Sequence, residues 1–244
     1  MIPTTISGPF AVIGDVHGHI GPLQSLLDNL KSAIVDYDER WLVFMGDLVD
    51  RGHDPRATVE LLIDLVKNRG KTTCIMGNHE FVLLAALGLY GKILEREYAE
   101  SYLELYSPEP TFRSYGVEPG DLRGLRRAIP EEHLTFLLDL PWCVEADGHL
   151  IVHAGLRPGE PYEAQLKKLR NREMNPGQPW LHEQQLVTAQ PPHDCPVTVV
   201  SGHVRFANVV LAKKRILVDT TGGRGGRLSA VLLPERRVYN SIGF

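Results

Sequence analysis

An α/β fold built on a parallel sheet is predicted by three features of this chain. Short β-rich runs alternate with helical segments through its first third, as βαβ units do. Two of the intervening segments carry apolar residues at helical spacing. Five of the β-rich runs end in a polar cluster, as strands do when their loops converge on a ligand.

The elements follow in order. FAVI (10–13) is the first strand. Leu23, Leu26, Leu27 and Leu30 fall at i, i+3, i+4, i+7 and predict a helix. WLVFM (41–45) is the second strand. Asp54 as N-cap and Pro55 at the first helical position open a second helix, continued by Val59, Leu62, Ile63 and Val66. TTCIM (72–76) is the third strand, and Gly77 after it lets the backbone turn into an apolar, helix-starting segment, 81–90. HLIV (149–152) and VTVV (197–200) are later strands, and RILVDTT, SAVLLP and RRVYN are strands near the C-terminus. GGRGG (222–226) reads as a turn and not a phosphate loop, because no helix pattern follows it. Residues 91–128 are the least regular part, and 170–196 reads as mostly loop.

The bulk numbers exclude several classes. At 244 residues and 43% hydrophobic, the chain can bury a full core. A net charge of −4 gives no general pull toward a nucleic-acid polymer or an acidic membrane. Three widely spaced cysteines, Cys74, Cys143 and Cys195, form no CxxC pair and fit a reducing compartment. The N-terminus lacks a signal-peptide layout, and no apolar run nears the roughly 20 residues that span a bilayer. A soluble, cytoplasmic protein is expected.

The polar clusters carry the chemistry. GDVHG, GDLVDRG, GNHE, HAG and SGH would bring Asp15, His17, Asp47, Asn78, His153 and His203 toward one edge. These six oxygen and nitrogen donors include no sulfur, which suits Mn, Fe or Zn better than Ca or Cu(I). Six are too many for one ion with an open position, but suit two ions sharing a carboxylate. Two metals roughly 3.5–4 Å apart can hold a hydroxide and clamp the oxygens of an in-line phosphoryl displacement.

In that order the five clusters resemble the motifs of the PPP-type phosphoprotein phosphatases within the calcineurin-like metallophosphoesterases. The resemblance covers 14–203 and implies one metallophosphoesterase domain over 1–244, a β-sandwich of two mixed sheets flanked by helices. Residues 91–128 would be a variable helical or lid insertion. It implies Asp15, His17 and bridging Asp47 on one metal, and Asp47, Asn78, His153 and His203 on the other. Two divalent ions are expected, Mn2+ first, with Fe or Zn as alternatives. His79 resembles the family's general acid, Asp50 the partner that orients it and favours its cationic form, and Arg51 the phosphate-clamping arginine. Glu80 belongs to the motif, but no separate chemical role is assigned to it. A second phosphate-binding arginine is usual between HAG and GH; Arg157, Arg170 and Arg172 are candidates, with Arg157 and Arg172 carried forward. His182 and five other histidines match no motif and are expected to be surface or packing residues.

The substrate is less determined. Tyr98, Tyr102 and Tyr106 would line one helix face, either as a packing stripe or as a lid whose rings stack on a substrate. The first expectation is a serine/threonine, or dual-specificity, protein phosphatase acting on a phosphorylated protein or peptide. The alternative is a dinucleoside polyphosphate hydrolase, since the compact length and HAGLRPG phrasing also resemble bacterial and phage members and the diadenosine tetraphosphate hydrolases. A catalytically silent phosphate-binding module is the third.

Overall fold

Ten strands form two five-stranded mixed sheets in the computed structural model, which describes residues 2–174 and 178–242. The strands are β1 (Phe10–Ile13), β2 (Trp41–Phe44), β3 (Thr72–Cys74), β4 (Cys143–Ala146), β5 (His149–Val152), β6 (Thr198–Ser201), β7 (Val210–Leu211), β8 (Arg215–Leu217), β9 (Ser229–Leu233) and β10 (Arg237–Asn240). The first sheet has the order β10-β9-β1-β2-β3. Its β1, β2 and β3 are parallel, as their alternation with helices predicts, while β9 and β10 add antiparallel strands at the β1 side. The second sheet has the order β4-β5-β6-β8-β7, with β5, β6 and β8 parallel.

The pleat explains the layering. Phe10 and Val12 point to one face of β1 and pack with Val43, Val231, Ile151, Val200 and Ile216, filling the space between the sheets. Ala11 and Ile13 point the other way, against Leu23, Leu26, Leu30, Val59 and Leu62 of the helices. Both faces of such a strand are buried, so it reads as a continuous apolar run.

The helices between β1 and β3 are α1 (Ile20–Ala33) and α2 (Pro55–Asp64). Asp54 caps α2 by accepting from the Ala57 N–H at 2.9 Å, with Pro55 at its first position. A π-helical turn, Leu65–Arg69, extends α2 past Val66. After β3, α3 (Asn78–Ala86) is buried at all nine positions, as expected of a helix apolar on every side.

The region 91–128 is more regular than its sequence suggests. It holds α4 (Lys92–Leu105), α5 (Glu109–Ser114) and α6 (Leu122–Ala128), and α7 (Glu131–Asp139) follows. α4 lies on α3, with the Phe81 ring meeting Tyr98 edge-on at 5.8 Å. On the second sheet lie α8 (Tyr162–Arg170), α9 (Pro179–His182) and α10 (Gln184–Thr188). The last two occupy part of the stretch expected to be loop, of which 175–177 fall outside the described residues. The three cysteines are free and buried, and no described helix is long and apolar enough to cross a membrane.

Candidate metal centre

All six expected donors meet at one end of the two sheets. β1, β2 and β3 deliver Asp15 with His17, Asp47, and Asn78; β5 and β6 deliver His153 and His203. The loops hold unusual backbone: His17, Asp47, Asp50, Arg51 and His203 all have φ between 47° and 67°. Such conformations cost of order 1–3 kcal/mol each and persist only where packing fixes them.

Three imidazoles are anchored in the same way. His17 Nδ1 meets the Val49 carbonyl at 3.0 Å, His153 Nδ1 the Met45 carbonyl at 2.7 Å, and His203 Nε2 the His182 carbonyl at 3.2 Å. A carbonyl accepts, so each of these nitrogens carries the proton and the opposite nitrogen of a neutral ring presents its lone pair. Those lone pairs converge. His17 Nε2 and His153 Nε2 lie 3.3 and 3.4 Å from Asp47 Oδ2, while His153 Nε2 and His203 Nδ1 lie 3.0 and 2.9 Å from Asn78 Oδ1. Acceptors aimed at acceptors repel unless a cation or a proton lies among them.

The electrostatics divide the rings, favouring a proton on His153 and a neutral His203. Burial disfavours the His153 imidazolium, but Asp47 and then Asp15 outweigh it and raise the group to about 10. Burial, and then His153, lower His203 to about 3, which leaves its lone pair available. Asp15 is fully buried; Oδ2 accepts from the His203 N–H at 2.7 Å, and Oδ1 has no partner. Burial first, and then Asp219 and Asp47, push its carboxyl well above the usual range. The donor set and the orphaned Asp15 oxygen fit divalent cations, with Asp47 common to two groupings, one with His17 and His79 and one with His153 and His203.

His79 shares the first grouping but is held apart by Asp50, whose Oδ2 meets its Nδ1 at 2.7 Å. The other Asp50 oxygen accepts from Tyr102 Oη at 2.8 Å and Thr111 Oγ1 at 2.6 Å. Burial raises the Asp50 carboxyl to about 7 and lowers His79 well below its ordinary value. Asp50 is placed to orient the ring, but burial opposes the cationic form that Asp50 was expected to favour. The tyrosine stripe divides: Tyr102, on α4, is buried on Asp50, and the ring of Tyr106, just past the end of α4, stands edge-on to His79 at 4.8 Å.

Glu80 acquires a role that its sequence did not suggest. Its carboxylate accepts four backbone N–H bonds, from Gly77 and Asp47 on Oε2 and from Leu48 and Val49 on Oε1, at 2.7–3.1 Å. It pins the Asp47 loop to the start of α3. Gly77 itself has φ −96°, open to any residue; it is glycine because an added Cβ would stand 2.2 Å from Asp47 Oδ1. His182, read as an ordinary packing residue, supplies the carbonyl that anchors His203, and its ring packs on Phe81.

The arginines divide differently from expectation. Arg51 is exposed at the rim, its Nη1 2.8 Å from the Gly222 carbonyl and 3.2 Å from His17 Nε2. Arg157 is paired with Glu160 and Glu183, and Arg170 with Glu145. Arg172 donates to the Leu138 carbonyl and lines a separate cavity with Ile2, Thr4 and Asp139. The arginines that line the cavity at His203 are Arg51, Arg205 and Arg224, the last on the GGRGG turn. No sequence motif marked Arg205 or Arg224.

Residues 8–207 match the model of the calcineurin-like phosphoesterase family. The chain belongs to that family. The chain is 30% identical over 155 residues to the symmetrical bis(5'-nucleosyl)-tetraphosphatase of Ralstonia nicotianae, a match covering 64% of this chain and 44% of that one. It thus spans less than half the length of that relative. It is 25% identical to the asymmetrical bis(5'-nucleosyl)-tetraphosphatase PrpE of Bacillus cereus, over 93% of this chain and 91% of the relative. Its fold matches the crystal structure of a putative diadenosine tetraphosphatase with a TM-score of 0.62 and 23% identity, covering 98% and 97% of the two chains.

Proposed function

We propose that the phosphoesterase is a two-metal hydrolase whose substrate is a dinucleoside polyphosphate. The observation that carries the two-metal reading is Asp47 Oδ2, placed 3.3 Å from His17 Nε2 and 3.4 Å from His153 Nε2, so that one oxygen serves both groups of donors. Asp15, His17 and Asp47 would hold one ion, and Asp47, Asn78, His153 and His203 the other. Bound there, divalent ions would acidify a water and neutralise charge on the phosphoryl oxygens. The preference for Mn2+ rests on donor chemistry alone.

The chain's own groups do the rest. Arg51 would hold two phosphoryl oxygens through its planar fork. Asp50 fixes Nδ1 of His79, leaving Nε2 to give a proton to the departing oxygen. The helix α3 begins at Asn78 beside the donors, and its N-terminal dipole favours an anion there.

This reverses the order of substrates expected from the sequence. The relative aligned along most of both chains carries a tetraphosphatase name. The cavity beside His203 is also lined by three arginines and no carboxylate, which suits several phosphates better than one.

The test is a side-by-side assay with Mn2+ on diadenosine tetraphosphate, a phosphoserine peptide and p-nitrophenyl phosphate. The tetraphosphate should be preferred by orders of magnitude in kcat/KM. A faster phosphopeptide would restore the protein-phosphatase reading, and no hydrolysis with any divalent metal would overturn both. Asp47→Asn should weaken both metal sites; two tightly bound ions in that variant, by elemental analysis, would break the sharing.

A further inference from the structure

The cavity beside His203, about 680 Å3, holds more positive charge than the six donors and Arg51 explain. Arg205 and Arg224 also line it, and neither has an ion pair among the described residues. Elsewhere Arg40, Arg56, Arg157 and Arg170 are matched with carboxylates. Three other cavities carry acids as well: Asp139 with Glu145, Glu131 with Glu132, and Asp54 with Glu60. The chain as a whole is net −4, so this cluster is not the overflow of a basic surface.

The two arginines reach the cavity from different loops but share one support. Arg205 follows His203 by two residues, and its side chain lies against Gly222; its Nε donates to the Thr220 carbonyl at 3.3 Å. Arg224 stands on the turn that contains Gly222 and Gly223. That turn is tied to the metal-site loop, because Thr221 Oγ1 donates to the Asp15 carbonyl at 2.9 Å. Asp219 Oδ1 accepts from the Thr221 and Gly222 N–H groups, both at 2.9 Å. Arg51 donates to the Gly222 carbonyl of the same turn. Three guanidiniums are thus mounted around one braced turn, and most of the guanidinium donors of Arg205 and all of those of Arg224 make no bond among the described residues.

We propose that Arg205 and Arg224 form a subsite for the phosphates flanking the reacting one, so that the enzyme selects polyphosphates over single phosphoryl esters. Each planar fork can take two oxygens of a separate phosphate. This rests on the two-metal reading only in placing the reacting phosphate by Arg51.

Calorimetry on the metal-free protein tests it with inorganic tripolyphosphate and orthophosphate as probes. The wild type should bind tripolyphosphate about tenfold more tightly or better, and R205Q/R224Q should lose that preference. The control Arg113→Gln, on a different cavity, should keep it. Equal affinities in the wild type, or a preference unchanged in the double variant, would overturn the subsite. Both arginines are exposed, and each single variant gives a second reading with intact folding checked by melting. With Mn2+, the kcat/KM ratio of diadenosine tetraphosphate to p-nitrophenyl phosphate should fall by about tenfold in R205Q/R224Q. A wild type that hydrolyses nothing, yet loses its tripolyphosphate preference on mutation, would sink the two-metal reading and leave the subsite standing. Hydrolysis with no such preference would do the reverse.

Discussion

Tyr102 donates its hydroxyl to Asp50 Oδ1 at 2.8 Å, on the oxygen opposite the one that faces His79. A helix of the 91–128 region therefore reaches the proposed proton donor through one carboxylate. Thr111 completes the arrangement, accepting from the Asp50 N–H at 3.0 Å while donating to the same Oδ1. The region that looked least structured in the sequence thus supports Asp50.

Removing one of these bonds should loosen the ring without touching it. Tyr102→Phe is expected to lower kcat on alkyl phosphates, which need a proton donor, more than on p-nitrophenyl phosphate. Stability should fall by about 1–2 kcal/mol, the cost of one hydrogen bond to a buried carboxylate. Equal losses of kcat on both substrates would reduce Tyr102 to a packing residue.

Gly223 has φ +67°, and an added Cβ would stand 2.3 Å from Arg51 Cδ and 2.8 Å from the His17 ring. Gly223→Ala should therefore displace both Arg51 and His17, with a loss of most activity and a raised KM. Gly116→Ala is the control: it has φ +73° but nothing within 4 Å, so it should pay the backbone cost of about 1 kcal/mol and keep its activity. Similar kinetics for the two variants would show that the contact is unimportant.

Glu80→Gln replaces a carboxylate oxygen with an N–H2 facing buried N–H donors. Urea denaturation should show a loss of about 2–3 kcal/mol, together with weaker metal binding as the Asp47 loop is released. A change below about 0.5 kcal/mol would mean the four bonds are replaceable.

Cys143 gives an expectation remote from the metal site. Burial, and then Glu145, push its thiol up to about 12. A folded-state pKa above the unfolded value of roughly 8.5 stabilises at lower pH; the contribution is lost as pH rises, because the unfolded chain ionises first. Stability should thus decline between about pH 8.5 and 12, and Cys143→Ala should flatten the decline. Parallel pH curves for the two proteins in urea melts would remove Cys143 as the cause.

The candidate donors were legible along the chain. Asp15, His17, Asp47, Asn78, His153 and His203 follow strands that their own neighbours mark, and a strand end is a local feature. The chain also marked β1, β2 and β3 as parallel and Asp54 as a cap, both readable from neighbouring residues.

Which arginines face the cavity depends on packing between distant loops. Arg157 looked suitable beside the HAG motif, yet Glu160 and Glu183 occupy it, and Glu183 is 26 residues away. Arg205 and Arg224 carry no local pattern, because the cavity they line exists only when loops from 51 to 224 meet. The two-sheet division was legible only through the resemblance of the motifs, because a strand buried on both faces, such as β1, carries no sign of which sheet lies opposite. Glu80 shows the same limit in one residue. Its four N–H partners come from two loops, and a carboxylate's purpose there is set by where the backbone donors point.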